Sequence, residues 1–302
     1  QNGHRLFPVA SPGRYFLGAA VSLTPLPAAE LLHRYNLRPD KRLGRNFLID
    51  ESALERVVAA AALQPGEEVL EIGPGLGSLT RHLAAAGGRV AAVELDKRLL
   101  PALREVVSAY PKVEIIQGDI LKLDPAALVS QDGYAVVANI PYYITSAVIR
   151  HLLEAPCPPS RMVLTLQKEV AQRICAAPGD LSLLALSVQV YGSPKIVAYI
   201  PAGAFYPPPK VDSAILRVDL YPDPRIPHPM LDSFFRLSKA GFSQKRKTLR
   251  NALSGGLGWS TAQTGELLNN AQIDPFRRAE TLSIDEWHRL TQAYTERLTP
   301  TP

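Results

Sequence analysis

The sequence predicts an α/β fold, an open and mostly parallel seven-stranded sheet flanked by helices, with a small C-terminal all-α domain. Three observations carry this. Between residues 68 and 191, short apolar runs alternate with stretches of helical length, the pattern of βαβ units. A glycine-rich turn joins the first of these strands to its helix. Beyond the proline-rich "YPDPRIPHP" (221–229), only helical periodicity remains.

The elements follow in order. "PAAELLHRY" (27–35) reads as a short helix and "SALERVVAAAAL" (52–63) as a longer one. Ser52 is the expected cap of the second, with Glu55 as capping-box partner. Strands are expected at 68–73, 89–95, 113–119, 134–139 and 161–167, with helices at 78–86, 97–110, 145–155, 168–176 and 181–191. Two late strands, 195–200 and 211–220, are expected to close the sheet as a hairpin. Four helices then follow, at about 230–242, 244–253, 260–271 and 283–297.

Composition sets the outer limits. The 302 residues are 46% hydrophobic and 20% charged, an ordinary globular balance. A formal charge of +5 permits a polyanionic partner without requiring one. No apolar run nears the roughly 18 residues of a membrane span, so no membrane partner is expected. Cys157 and Cys175 form no CxxC, and the six histidines form no HExxH. Buried reduced thiols, structural or solvated histidines and no metal site are expected. The first 29 residues contain no Asp or Glu, a composition that transit peptides share. Arg14 before "YFLGAAVSL", with no small-residue cleavage site, argues against a secretory signal.

Candidate ligand residues gather at strand ends. "EIGPGLGSLT" (71–80) places Gly73, Gly75 and Gly77 between a strand and a helix. There the backbone can turn tightly and approach a ligand. The spacing is GxGxG, not the GxGxxG of dinucleotide sites. Glu94 ends the second strand and can accept from both hydroxyls of a ribose. Asp119 ends the third and can take the amino group of an adenine, with the backbone beside Ile120 reading the ring edge. Each residue alone could be a structural turn or a surface acid. Three successive strands delivering polar groups to one rim is a more specific signal. No Arg or Lys near the turn suits a phosphate, and Glu71 precedes it. A cationic ligand such as S-adenosylmethionine fits better than an anionic one.

"ANIPYY" (138–143) ends the fourth strand. The N6 amine of adenine is a poor nucleophile because its lone pair is delocalised into the ring. Two acceptors aimed at its N–H groups favour the tetrahedral geometry needed for attack on a methyl group. The Asn139 side-chain oxygen and the Ile140 carbonyl, held by Pro141, can supply them, stabilising developing positive charge. Tyr142 offers a stacking face for an extruded base, supported by Tyr143.

These residues closely resemble the small-subunit (16S) ribosomal RNA adenine N6,N6-dimethyltransferase family, from about Leu37 to Leu290. "GRNFLID" (44–50), the glycine loop, "ANIPYY", "FYPPPKVDSAI" (205–215), "GFSQKRKTLRNAL" (241–253) and "RRAETLSIDEW" (277–287) carry the likeness. The resemblance implies a class I S-adenosylmethionine-dependent methyltransferase, Rossmann-like in fold. Asn46 and Leu48 would contact the cofactor, Gly73 and Gly75 would lie beside it, Glu94 would bind ribose, Asp119 adenine, and Asn139 would touch the reacting centre. Phe205 would be the second face of a base sandwich with Tyr142. The resemblance further implies two methyl transfers to each of two adjacent adenosines near the 3′ end of small-subunit ribosomal RNA. The expected setting is a monomer acting in the cytoplasm on a pre-assembled small ribosomal subunit. The chain departs from the family at Arg45, where Gln is usual; Arg45 extends the basic stretch of Arg38, Lys41 and Arg42.

The expected organisation is an N-terminal extension (1–36), a methyltransferase domain (37–221) and a helical RNA-binding domain (222–302). Lys239, Lys245, Arg246, Lys247 and Arg250 could grip phosphates from the last of these. Two rival readings share the fold: a large-subunit RNA adenine methylase of the macrolide-resistance class, and a non-catalytic RNA-binding assembly factor. "PPPKVDSAI" and the later helical motifs oppose the first; the intact Asn139 loop and Glu94 oppose the second.

Overall fold

The fold is seen in a computed structural model that describes residues 23–37, 46–130, 133–140 and 144–298. Arg38, Lys41, Arg42 and Arg45, together with Pro141, Tyr142 and Tyr143, lie outside these residues.

The sheet is built from β2 (Glu68–Ile72), β3 (Arg89–Glu94), β4 (Val113–Gln117), β5 (Ala135–Asn139), β6 (Arg161–Gln167), β7 (Gly192–Ile200) and β9 (Ser213–Leu220). Its order is β4-β3-β2-β5-β6-β9-β7. The first five strands run parallel, and β9 lies antiparallel between β6 and β7. The late hairpin is therefore real, with β9 inserted inside β7 rather than added at the edge. The strand order reverses between β2 and β5, which opens a crevice at their carboxyl ends.

Helices cover both faces because central strands carry apolar residues on both. On one face Val69, Val137, Val163 and Ile215 pack with Leu54 and Val57 of α2 (Glu51–Ala61) and Leu79 and Leu83 of α3 (Ser78–Ala85). On the other, Leu70, Val136, Leu164 and Leu216 pack with Val148 and Leu152 of α5 (Thr145–Leu153), Ile174 of α6 (Lys168–Ile174) and Leu186 of α7 (Leu183–Gln189). Each such side chain, fully buried, contributes roughly 1.5–3 kcal/mol. Two further helices, α1 (Ala28–Arg34) and α4 (Leu100–Val107), contribute Leu32 and Ala102 to a smaller cluster around Phe47 and Leu76.

The start of α2 differs from expectation. Asp50, not Ser52, is the cap, its Oδ1 accepting the Ala53 N–H at 2.7 Å. Asp is the equal of Ser as a cap and lies two residues earlier, so Ser52 falls inside the first turn. A second difference is a two-stranded antiparallel ribbon of β1 (Phe47–Leu48) and β8 (Phe205–Tyr206), which pairs Leu48 with Phe205. Such short runs carry little periodicity. Cys157 and Cys175 are half-buried rather than fully buried.

Beyond β9 the chain is helical: α8 (Leu231–Phe242), α9 (Leu249–Leu257), α10 (Thr261–Asn270) and α11 (Ile284–Leu298). Residues 244–248 form a turn instead of the first turn of a helix, so α9 begins five residues later than its sequence suggests. Trp287 is fully buried between Phe234 and Phe242. Gly241 is required there, since a Cβ would sit 2.7 Å from the indole. The proline-rich stretch is tied down: Ile226 is fully buried, and the Tyr221 and Arg225 N–H groups donate to the carbonyls of Tyr191 and Val190. Phe235 stacks on Tyr191, and one apolar core runs from the sheet face into the helices.

Candidate active site

A cavity opens at the switch between β2 and β5. Asn46, Leu48, Gly73, Gly75, Glu94, Asp119, Asn139 and Ile140 all line it, so residues spread over 95 positions of sequence converge because four parallel strands end at one rim. The glycine turn forms the floor. Gly75 has φ +60°, and a Cβ there would lie 3.0 Å from the Phe47 ring. Gly73 has φ +71° beside the Asn139 backbone. L-residues with side chains rarely hold such dihedrals.

Glu94 is 5% exposed. Its Oε2 accepts the Gly75 N–H at 3.0 Å and its Oε1 the Asp96 N–H at 2.8 Å. Those two bonds orient the carboxylate and clamp the glycine turn to β3. An ionised carboxylate has about four acceptor sites, so this orientation is compatible with binding a diol. Asp119 is half-buried; its Oδ1 accepts the Leu121 N–H at 3.1 Å and caps the 3₁₀ turn Ile120–Lys122. The turn-forming role and a place on the cavity wall therefore coexist.

Asn139 closes β5, in register with Thr165 of β6. Its Nδ2 donates to the Asn46 carbonyl at 3.0 Å. Ile140 is buried and its N–H donates to the Thr165 carbonyl at 3.2 Å. The backbone leading into the loop is thus pinned on both sides.

Electrostatically the cavity is one-signed. Glu71, Glu94 and Asp119 line it, and no Lys, Arg or His does among the described residues. Glu71 is 1% exposed, and among the described residues its Oε2 has no hydrogen-bond partner; the same holds for the Ser78 Oγ on the same wall. Burial, reinforced by the Glu94 charge, pushes the Glu71 carboxyl up to about 8. A buried acceptor without a partner costs free energy, and a cationic group entering the cavity would relieve it. A pyrophosphate would meet three carboxyl groups and, among the described residues, no cation.

Phe205 departs from expectation. It is 3% exposed, packs among Leu48, Leu54 and Ile215, and is not on the cavity wall. Pairing of β8 with β1 fixes which way each side chain points: Phe205 turns inward and Tyr206, its neighbour, is 38% exposed. An open stacking face at Phe205 is corrected to a buried support behind Leu48. Sequence reasoning also missed Phe47 and Leu95, which both line the cavity. Leu95, 53% exposed directly after Glu94, is an apolar wall that no motif spacing announces.

An open sheet of this order, with an acidic cavity at its switch point, fits a methyltransferase, and the comparisons with known proteins place the chain in that class. The chain belongs to the ribosomal RNA adenine dimethylase family, whose model matches residues 36–296. It is 51% identical over 271 residues to the ribosomal RNA small subunit methyltransferase A of Dehalococcoides mccartyi strain ATCC BAA-2266, covering 89% of this chain and 93% of that one. It is 40% identical over 282 residues to the protein of the same name from Alkaliphilus oremlandii, covering 91% and 98%. Among solved structures, the 23S rRNA methyltransferase ErmE matches at 30% identity and TM-score 0.65, covering 82% of this chain and 99% of that one. A dimethyladenosine transferase from Plasmodium falciparum matches at 24% identity and TM-score 0.70, covering 83% and 98%, which speaks to the fold alone.

Proposed function

We propose that this protein uses S-adenosylmethionine to dimethylate N6 of two adjacent adenosines near the 3′ end of small-subunit ribosomal RNA. In this reading it works as a monomer in the cytoplasm, on a pre-assembled small subunit, with residues 37–221 carrying the chemistry and 222–302 the RNA grip. The observation that carries the reading is the convergence of Glu94 and Asn139 on one acidic cavity. A sugar-reading acid and an amine-polarising amide then face the same ligand space.

The cavity fits the cofactor. When bound, it supplies a methyl group made electrophilic by a sulfonium. Glu94, already oriented by two backbone amides, would accept from the ribose. Asp119 would take the adenine amino group, Asn46 and Leu48 would cover the ligand, and Gly73 and Gly75 would let the backbone approach it. Glu94, and Glu71 once it is ionised, would balance the ligand's positive charge. Asn139, with its nitrogen committed to Asn46, keeps its oxygen as an acceptor for the target amine; the Ile140 carbonyl would be the second acceptor, with Pro141 and Tyr142 assigned by the sequence to hold it and to stack on the base. Phe205 supports this wall from behind rather than touching the base.

The test is methyl transfer from labelled S-adenosylmethionine to small subunits that lack the modification. Transfer to the two adenosines is expected. Cofactor binding with no transfer to any RNA would overturn the enzyme reading. Transfer only to large-subunit RNA would favour the macrolide-resistance class, to which the 30% likeness to ErmE points.

A further inference from the structure

Phe276 is 68% exposed, the most exposed large hydrophobic side chain among the described residues. Its position is not that of a loose loop. Asp274 Oδ1 accepts the Phe276 N–H at 2.9 Å, and the Arg277 N–H donates to the Asp274 carbonyl at 3.2 Å. Two more backbone bonds dock this turn onto the start of α9: Leu249 N–H to the Arg277 carbonyl at 2.6 Å, and Arg250 N–H to the Pro275 carbonyl at 3.3 Å. The Arg250 guanidinium carbon lies 5.3 Å from the Phe276 ring centre, a cation–π geometry. The ring is therefore held in water, backed by a cation.

Docking also brings the ring beside the turn that leads into α9. Lys245, Arg246 and Lys247 are exposed there and make no ion pair among the described residues. Of the nearby acids, Asp274 is engaged in its own turn and Glu280 lies 3.9 Å from Arg278. An aromatic face backed by Arg250, next to a turn that carries exposed Lys245, Arg246 and Lys247, is unlike a protein-binding centre, where lysine is depleted. It has the two parts a flexible nucleic-acid strand needs, a π-face for a base and cations for phosphates.

Resting on the ribosomal RNA reading above, we propose that Phe276 is a stacking platform for an unpaired nucleobase of the substrate RNA, away from the reacting adenosine. Base stacking is sequence-tolerant, so the platform adds affinity and register. The basic turn supplies the salt-dependent part of the grip and Phe276 the salt-independent part.

The experiment measures methylation kinetics of the full chain on unmethylated small subunits. Phe276→Ala is expected to raise KM about 5- to 100-fold with kcat and cofactor affinity unchanged, and Phe276→Trp to restore it. The slope of log affinity against log salt stays as in the wild type for Phe276→Ala, whereas Arg246→Ala makes it shallower by about one. With p-benzoylphenylalanine at position 276, photo-crosslinking is expected to yield an RNA nucleotide. An unchanged KM for Phe276→Ala, or a crosslink to a ribosomal protein alone, overturns the proposal. A wild-type enzyme that methylates no subunit overturns the function instead, which keeps the two failures distinct.

Discussion

The side-chain nitrogen of Asn139 donates to the backbone carbonyl of Asn46 at 3.0 Å, across 93 residues of chain. That one bond ties the end of β5 to the segment leading into β1. It also assigns the amide: with Nδ2 spent on a carbonyl, Oδ1 is the acceptor. On the proposed function, the protein itself thus sets the orientation of the amide that meets the target amine.

Removing that amide tests its chemistry. Asn139→Ala is expected to lower kcat by about 10²–10³-fold, the scale of losing one preorganised group at a charge-developing atom. Cofactor affinity measured by calorimetry should stay within a few-fold, and circular dichroism should show the native fold. An unchanged kcat would remove Asn139 from the mechanism.

On the proposed function, Glu94 carries a different step. Glu94→Ala removes the acceptor for the Gly75 and Asp96 N–H groups and, on the proposed function, for the ribose. Hydrogen bonds to charged groups are worth about 1.5–3 kcal/mol, so cofactor Kd should rise by about 10- to 100-fold. A Kd equal to wild type would place the ligand elsewhere.

Glu71 makes both binding and stability depend on pH. Its carboxyl is pushed from 4.5 to about 8 in the folded protein, chiefly by burial, with a smaller push from the Glu94 charge. Between those values the folded state holds a proton that the unfolded state has released. Stability of the ligand-free protein should therefore fall as pH rises through this window. Cofactor affinity should rise over the upper part of the same window, since a cation is better met by the ionised form. Denaturant melts and titration calorimetry at pH 6, 7 and 8 measure both slopes. Glu71→Gln should flatten them, and a variant that kept the wild-type slopes would assign them to another group.

Phe205 separates support from contact. As a buried side chain, Phe205→Ala should cost about 3–5 kcal/mol, seen as a lower unfolding midpoint. Phe205→Leu should retain most of the stability and most of the turnover, because Leu fills most of the space of the ring and leaves only a small cavity. Loss of turnover in a stable Phe205→Leu protein would show that the ring itself meets the base.

Strand–helix alternation from Glu68 to Gln189, the glycine turn and the strand-end residues Glu94, Asp119 and Asn139 were legible in the amino-acid order, because periodicity and turn chemistry are local properties. So was the acidic character of the site, through Glu71. Other features depended on distant chain meeting in space. β9 lies inside β7, the Asn46 carbonyl reaches Asn139, and β1 pairs with β8 to turn Phe205 inward. Docking of 274–277 on α9 leaves Phe276 in water, backed by Arg250. Each of these is decided by which neighbour a segment packs against, and the free energy of that choice comes from burial and register across the whole domain rather than from the segment's own residues.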